Sequence, residues 1–146
     1  MVLAQPDAAI AQCLRRLRLL QEVAAEIGGI PLQAPNDLTF GPDGRLYFTD
    51  PADYLPDDRK PGRLWVLAPD GTGELLESIP AAYTNGIVAE ADGSIVWVES
   101  YERGVYRKRP GQASQQIAQL PAGHVPDGLK VAANGDLWVT AFMGGG

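Results

Sequence analysis

Three stretches of the chain are near copies of one another: PNDLTFGPDGRLYFTD from Pro35, TNGIVAEADGSIVWVES from Thr84 and PDGLKVAANGDLWVTA from Pro126. Each opens on a small-residue turn carrying Asn36, Asn85 or Asp127, and an apolar run follows. A turn at Asp43-Gly44, Asp92-Gly93 or Asn134-Gly135 then leads into a second apolar run. The three turn glycines are 49 and 42 residues apart, and the polar residue precedes its glycine by eight positions in every copy. Self-similarity at such a period marks stacked or radial repeats, so the repeat constrains the fold more than any other feature.

Between the copies lies a second kind of hairpin. Residues 62–67 and 74–78 flank Pro69-Asp70-Gly71, and 104–109 and 115–118 flank Pro110-Gly111. The unit is therefore four short strands, an inner pair and an outer pair, and four antiparallel strands at this period form the blade of a β-propeller. The 17 glycines and 12 prolines suit many short strands better than long helices. The expected fold is all-β, a propeller of four-stranded antiparallel blades with about three of six blades present. Its domain, residues 30–146, is expected to end inside a blade. Residues 1–29 read as the remnant of a preceding blade. Within them, residues 8–27 fit an amphipathic helix by local periodicity and two outer strands by repeat context. Open blade edges make self-association an expected property.

Composition narrows the partners. The net charge of −6 argues against nucleic acid and for a cation or a small neutral substrate. A single cysteine, Cys13, allows no internal disulfide. No apolar run is long enough for a membrane-spanning helix, and no secretory signal pattern is visible, so the expected location is cytoplasmic.

In a propeller the inner strand of each blade begins near the central channel, which would bring Asn36, Asn85 and Asp127 around one axis. Three oxygen-bearing side chains there suit a hard divalent cation. Taken singly, each is an ordinary turn former that bonds its own backbone, and both readings stand at this stage. Asp43, Asp92 and Asn134 are explained by their hairpin turns. Asp50 and Glu99 share a position that Ala141 fills in the third copy, which speaks against a common catalytic role. Trp65, Trp97, Trp138, Tyr47 and Phe48 read as packing between blades, and His124 as a loop residue. The proline-rich segment between Asp50 and Gly62 reads as a solvated connection, with a part in covering a pocket as the alternative.

The succession of PND, TNG and PDG motifs resembles the family of gluconolactonases, senescence-marker protein and luciferin-regenerating enzyme, and IGGIPLQAPNDLTF is similar to its bacterial gluconolactonase branch. The resemblance implies a six-bladed propeller holding one divalent metal, Ca²⁺ or Zn²⁺ with Mg²⁺ and Mn²⁺ as other candidates. It further implies hydrolysis of a sugar lactone. By position, Asn85 and Asp127 resemble metal ligands, Asp127 the catalytic base, and Asn36 the asparagine that contacts substrate. The family's glutamate ligand in an EGP-like motif has no counterpart in this sequence; Glu22 and Glu26 stand in a different context. A non-catalytic propeller segment or binding scaffold is the alternative.

Overall fold

The hairpin turns set the architecture. In a computed structural model, which describes residues 25–144, Gly44, Gly93 and Gly135 have φ of 77°, 83° and 89°. Each closes the same turn: the glycine amide donates to the residue three back, as Gly93 does to Glu90 at 3.0 Å, and a second bond such as Glu90 to Ser94 at 2.8 Å seals the loop. A left-handed φ is strained for any residue with a Cβ, so glycine fixes where the chain reverses. The preceding side chain completes the turn, since Asp43, Asp92 and Asn134 accept from the amide two residues on at 2.9–3.1 Å. Those bonds from Ser94 hold the Asp92 carboxyl below the ordinary aspartate range. The turn role assigned to these three residues therefore stands.

The described residues are all-β, and the chain divides into two compact units after Leu32. The first unit shows a short hairpin of β1 (Glu26–Ile27) and β2 (Ile30–Pro31). Residues 8–24, read above as helix or strand, lie outside the described residues. The second unit holds two four-stranded antiparallel sheets. One runs β3 (Leu38–Phe40), β4 (Leu46–Asp50), β5 (Gly62–Leu67) and β6 (Gly73–Ile79) in chain order. The other runs β7 (Thr84–Ala89), β8 (Ile95–Glu99), β9 (Gly104–Lys108) and β10 (Gln115–Gln119). A further hairpin, β11 (His124–Val131) and β12 (Leu137–Met143), repeats the inner pair. These are two complete blades and the inner half of a third. No helix among the described residues is long and apolar enough to cross a membrane.

Strand alternation sorts the second blade's side chains between its neighbours. Ile87, Ile95 and Trp97 pack with Tyr47, Leu64 and Val66 of the first blade. Val88, Val96 and Val98 face the other way and pack with Leu129 of β11. Each such aliphatic side chain, fully buried, contributes about 1.5–3 kcal/mol relative to exposure, so a blade covered on both faces reads as an unbroken apolar run, here Ile95–Val98. Trp65, Trp97, Tyr47 and Phe48 are buried as expected. Trp138 is the correction: it is 68% exposed. It occupies the position of Tyr47 and Val96, but among the described residues no strand pairs with β12 other than β11.

Buried carboxylates tie the entry segments of the first two blades to their sheets. Asp50, at the end of β4, accepts from the amides of Gln33 (2.9 and 3.1 Å) and Ala34 (2.7 Å) and from the indole nitrogen of Trp65 (3.1 Å). Glu99, at the equivalent end of β8, accepts from the amides of Tyr83 at 2.7 Å and Tyr101 at 3.1 Å, and also from Glu102. These donors satisfy carboxylates that would otherwise be costly to bury. The inner strands also approach each other closely. A Cβ on Gly86 would stand 2.6 Å from the Leu129 nitrogen and 2.7 Å from the Asp127 carbonyl oxygen, both backbone atoms of β11.

Three outcomes follow. Asp50→Ala orphans the buried Trp65 indole donor, at about 1–3 kcal/mol, and the part-buried Gln33 and Ala34 amides, so its urea midpoint should fall below that of the wild type; an unchanged midpoint would refute the tie. Gly86→Ala should cost about 1–3 kcal/mol by forcing backbone apart, read by the same measurement. Burial raises the Glu99 carboxyl above the ordinary glutamate value, against the downward pull of the Glu102, Tyr83 and Tyr101 amides. The folded chain then holds a proton that the unfolded chain has released, so this group's contribution falls as pH rises from the ordinary glutamate value through the raised one. Subtracting the stability–pH curve of Glu99→Ala from that of the wild type should expose this downward slope.

Candidate functional site

Two of the three polar motif residues, Asn85 and Asp127, sit at an irregularity of their inner strand. The β7–β8 register shifts between Thr84 and Ile87, around Asn85. The β11–β12 register shifts between Pro126 and Leu129, around Asp127. Asn36 lies just before β3, its amide donating to the Thr49 carbonyl at 2.9 Å. Bulges re-aim side chains and recur beside active sites. Two threonines bond the residue after the motif position in the same way. The Thr49 hydroxyl accepts from the Asp37 amide at 3.0 Å, and the Thr140 hydroxyl accepts from the Gly128 amide at 2.8 Å. Each also donates to the carbonyl of the same residue at 3.3 Å.

The three motifs lie at the same end of neighbouring blades, and hydrogen bonds cross between them. The Ile87 amide of β7 donates to Asp37 Oδ2 at 3.0 Å, joining the first blade to the second. The Ser100 hydroxyl donates to the Pro126 carbonyl at 2.8 Å, joining the second to the third. The same hydroxyl accepts from Asn85 Nδ2 at 3.3 Å. Asn85 is only 7% exposed, whereas Asn36 and Asp127 are exposed. Asn36 Nδ2 lies 3.4 Å from the Tyr83 hydroxyl, two residues before Asn85. Among the described residues the Asp127 carboxylate has no hydrogen bond or ion pair. The structure thus brings Asn85 and Asp127 onto adjoining strands whose backbones touch at Gly86, and links Asn36 to them through Tyr83.

A tyrosine cluster, which the sequence did not reveal, borders this end. Tyr54, from the loop after Asp50, meets Tyr83 edge-on at 4.9 Å and stacks on Tyr101 at 5.2 Å between ring centroids. The Arg59 guanidinium sits 4.7 Å over the Tyr101 ring and pairs with Glu102 at 2.7 Å. The Leu55 amide donates to the Tyr101 hydroxyl at 2.9 Å. The loop read as a solvated connection is exposed over residues 53–61, and it is also held by aromatic and ionic contacts beside Asn36. His124 is the first residue of β11 rather than a loop residue, with Nδ1 3.3 Å from the Ala122 carbonyl. A cleft of about 300 Å³ lined by Arg45, Val66, Ala68, Thr72, Gly73 and Glu74 lies at the hairpin-turn end of the first blade, away from all three motifs.

A cation fits the chemistry of Asn85 and Asp127 as far as these two donors go. A nine-tenths-buried amide whose nitrogen is already bonded leaves its carbonyl oxygen for a hard ion, and a carboxylate supplies charge. No group of three or more His, Cys, Asp and Glu side chains able to hold a metal occurs among the described residues.

The fold recurs in known proteins. The model of the SMP-30/gluconolactonase/LRE-like region matches residues 2–146. The Arabidopsis thaliana protein strictosidine synthase-like 3 is 26% identical over 136 residues, 83% of this chain and 34% of its own. A gluconolactonase from Xanthomonas campestris superposes with a TM-score of 0.63 at 22% identity, over 79% of this chain and 43% of its own. A luciferin-regenerating enzyme does so with a TM-score of 0.62 at 24% identity, over 74% and 39%. The chain therefore spans between a third and a half of the length of these relatives. By a match along nearly its whole sequence, it belongs to the SMP-30/gluconolactonase/LRE-like family.

Proposed function

We propose that the chain carries part of a divalent-cation-dependent lactone hydrolase site, with Asn85 and Asp127 as cation ligands, Asp127 as general base and Asn36 as a substrate contact. The observation that carries this reading is the placement of Asn85 and Asp127 at equivalent bulges of adjoining strands, with Gly86 against the Asp127 backbone. Family membership supports it, and a relative of the same fold is a gluconolactonase.

A divalent ion held there, Ca²⁺ or Zn²⁺, with Mg²⁺ or Mn²⁺ as alternatives, would supply Lewis acidity to the lactone carbonyl. The chain's own residues do the rest. The exposed Asp127 carboxylate, unpaired among the described residues, takes the proton from the attacking water. Asn85 binds through a neutral oxygen, which leaves the ion's charge undiminished. Asn36, exposed beside the tyrosine cluster, offers both amide donor and acceptor to a polyhydroxylated substrate.

A second reading, a binding propeller segment without catalysis, is favoured by the absence among the described residues of any group of three or more His, Cys, Asp and Glu side chains able to hold a metal. Fold alone does not choose between them. The test is acid release from a sugar lactone, followed by pH-stat above the spontaneous rate, with and without chelator. The hydrolase reading expects chelator-sensitive turnover that Asp127→Ala lowers by about 10²–10⁴. Cation uptake without turnover would favour the binding segment, and chelator-insensitive turnover would refute the cation's role.

A further inference from the structure

The hydroxyl of Ser100 decides which end of Asn85 is presented. Ser100 is 2% exposed and sits just past the end of β8. Its oxygen lies 2.8 Å from the Pro126 carbonyl, which has no proton to give, so the single hydroxyl proton must be spent on that bond. Toward Asn85, at 3.3 Å, the hydroxyl can then only accept. The Asn85 group facing it must be the NH₂, and the carboxamide oxygen is the end left over. An asparagine flip is ordinarily an assignment made from the network around it, and here the network permits one answer. Asn36 is different, because its partner is the Tyr83 hydroxyl, which can donate or accept.

The same hydroxyl reaches the third blade at a telling place. Pro126 directly precedes Asp127, so one buried oxygen is bonded both to the Asn85 side chain and to the backbone that carries Asp127. We infer that Ser100 is the positioning residue of the cation site, fixing the Asn85 carboxamide oxygen-out and locking its blade to the Asp127 strand. The inference rests on the reading of Asn85 and Asp127 as cation ligands. Groups that orient a metal ligand are worth about 10–100-fold in metal affinity.

The experiment is calorimetric titration of the full chain with Ca²⁺ and, separately, Zn²⁺. It compares wild type, Asn85→Ala, Ser100→Thr and Ser100→Val; the last two have the same shape and differ only in the hydroxyl. Ser100→Thr should bind as wild type does, and Ser100→Val should bind about 10–100-fold more weakly. NMR of the Asn85 side-chain amide without metal gives a second readout, with one proton protected from exchange in wild type and Ser100→Thr but not in Ser100→Val. If Ser100→Val bound as tightly as Ser100→Thr while Asn85→Ala failed to bind, the positioning role would be overturned and the cation reading would survive. Indistinguishable titrations of wild type and Asn85→Ala would overturn the cation reading itself.

Discussion

The inner strands of neighbouring blades meet without side chains between them at Gly86. At that point β7 faces the backbone of β11 so closely that a single methyl group would sit 2.6 Å from a main-chain nitrogen. Such proximity leaves little room for water, so polar groups on these edge strands must find partners across the blade boundary. They do so one blade at a time. Asp37 receives the Ile87 amide, and Pro126 receives the Ser100 hydroxyl. Both bonds flank the motif positions, which makes the geometry of the candidate site a consequence of how the blades are joined.

The blades solve one local problem in two ways. The segment leading into each inner strand has backbone amides that need acceptors. In the first two blades a buried carboxylate at the end of the second strand supplies them, Asp50 or Glu99. The third copy has Ala141 there, and the entry segment pairs directly instead: His124, Val125 and Pro126 lie opposite Met143, Phe142 and Ala141. The alanine is thus matched to a longer ladder, which explains why β11 starts earlier relative to its motif than β3 or β7. The position shared by Asp50 and Glu99 is an element of blade construction.

The legible parts of this molecule were those written in local chemistry repeated at a fixed period. Turn glycines with left-handed φ, the Asx residues before them and the strand at 62–67 fall where the pattern placed them, and the strand expected at 104–109 runs from Gly104 to Lys108. The register of Asn36, Asn85 and Asp127 was visible for the same reason. Ser100 was not, because the matching positions hold Pro51 and Phe142, so comparison between copies gives it no weight. The tyrosine cluster was equally hidden, since Tyr54, Tyr83 and Tyr101 come from different connections and meet only once the blades are stacked. Trp138 misled because its strand pattern is that of a buried strand while its surroundings are not.

Registered residues are not equivalent residues. Asn36 is exposed beside a hydroxyl that can reverse its role, Asn85 is buried with its amide orientation forced, and Asp127 is exposed. A ligand that must present one oxygen to an ion benefits from being locked, because a free carboxamide would lose orientational freedom on binding. A base benefits from the opposite, since it must exchange protons with water. A substrate contact with both donor and acceptor available can adjust to whichever hydroxyl arrives. On the proposed hydrolase reading, the three environments suit the three side chains to different duties even though the repeat alone makes them look alike, and the difference comes from Ser100, Tyr83 and the blade boundary.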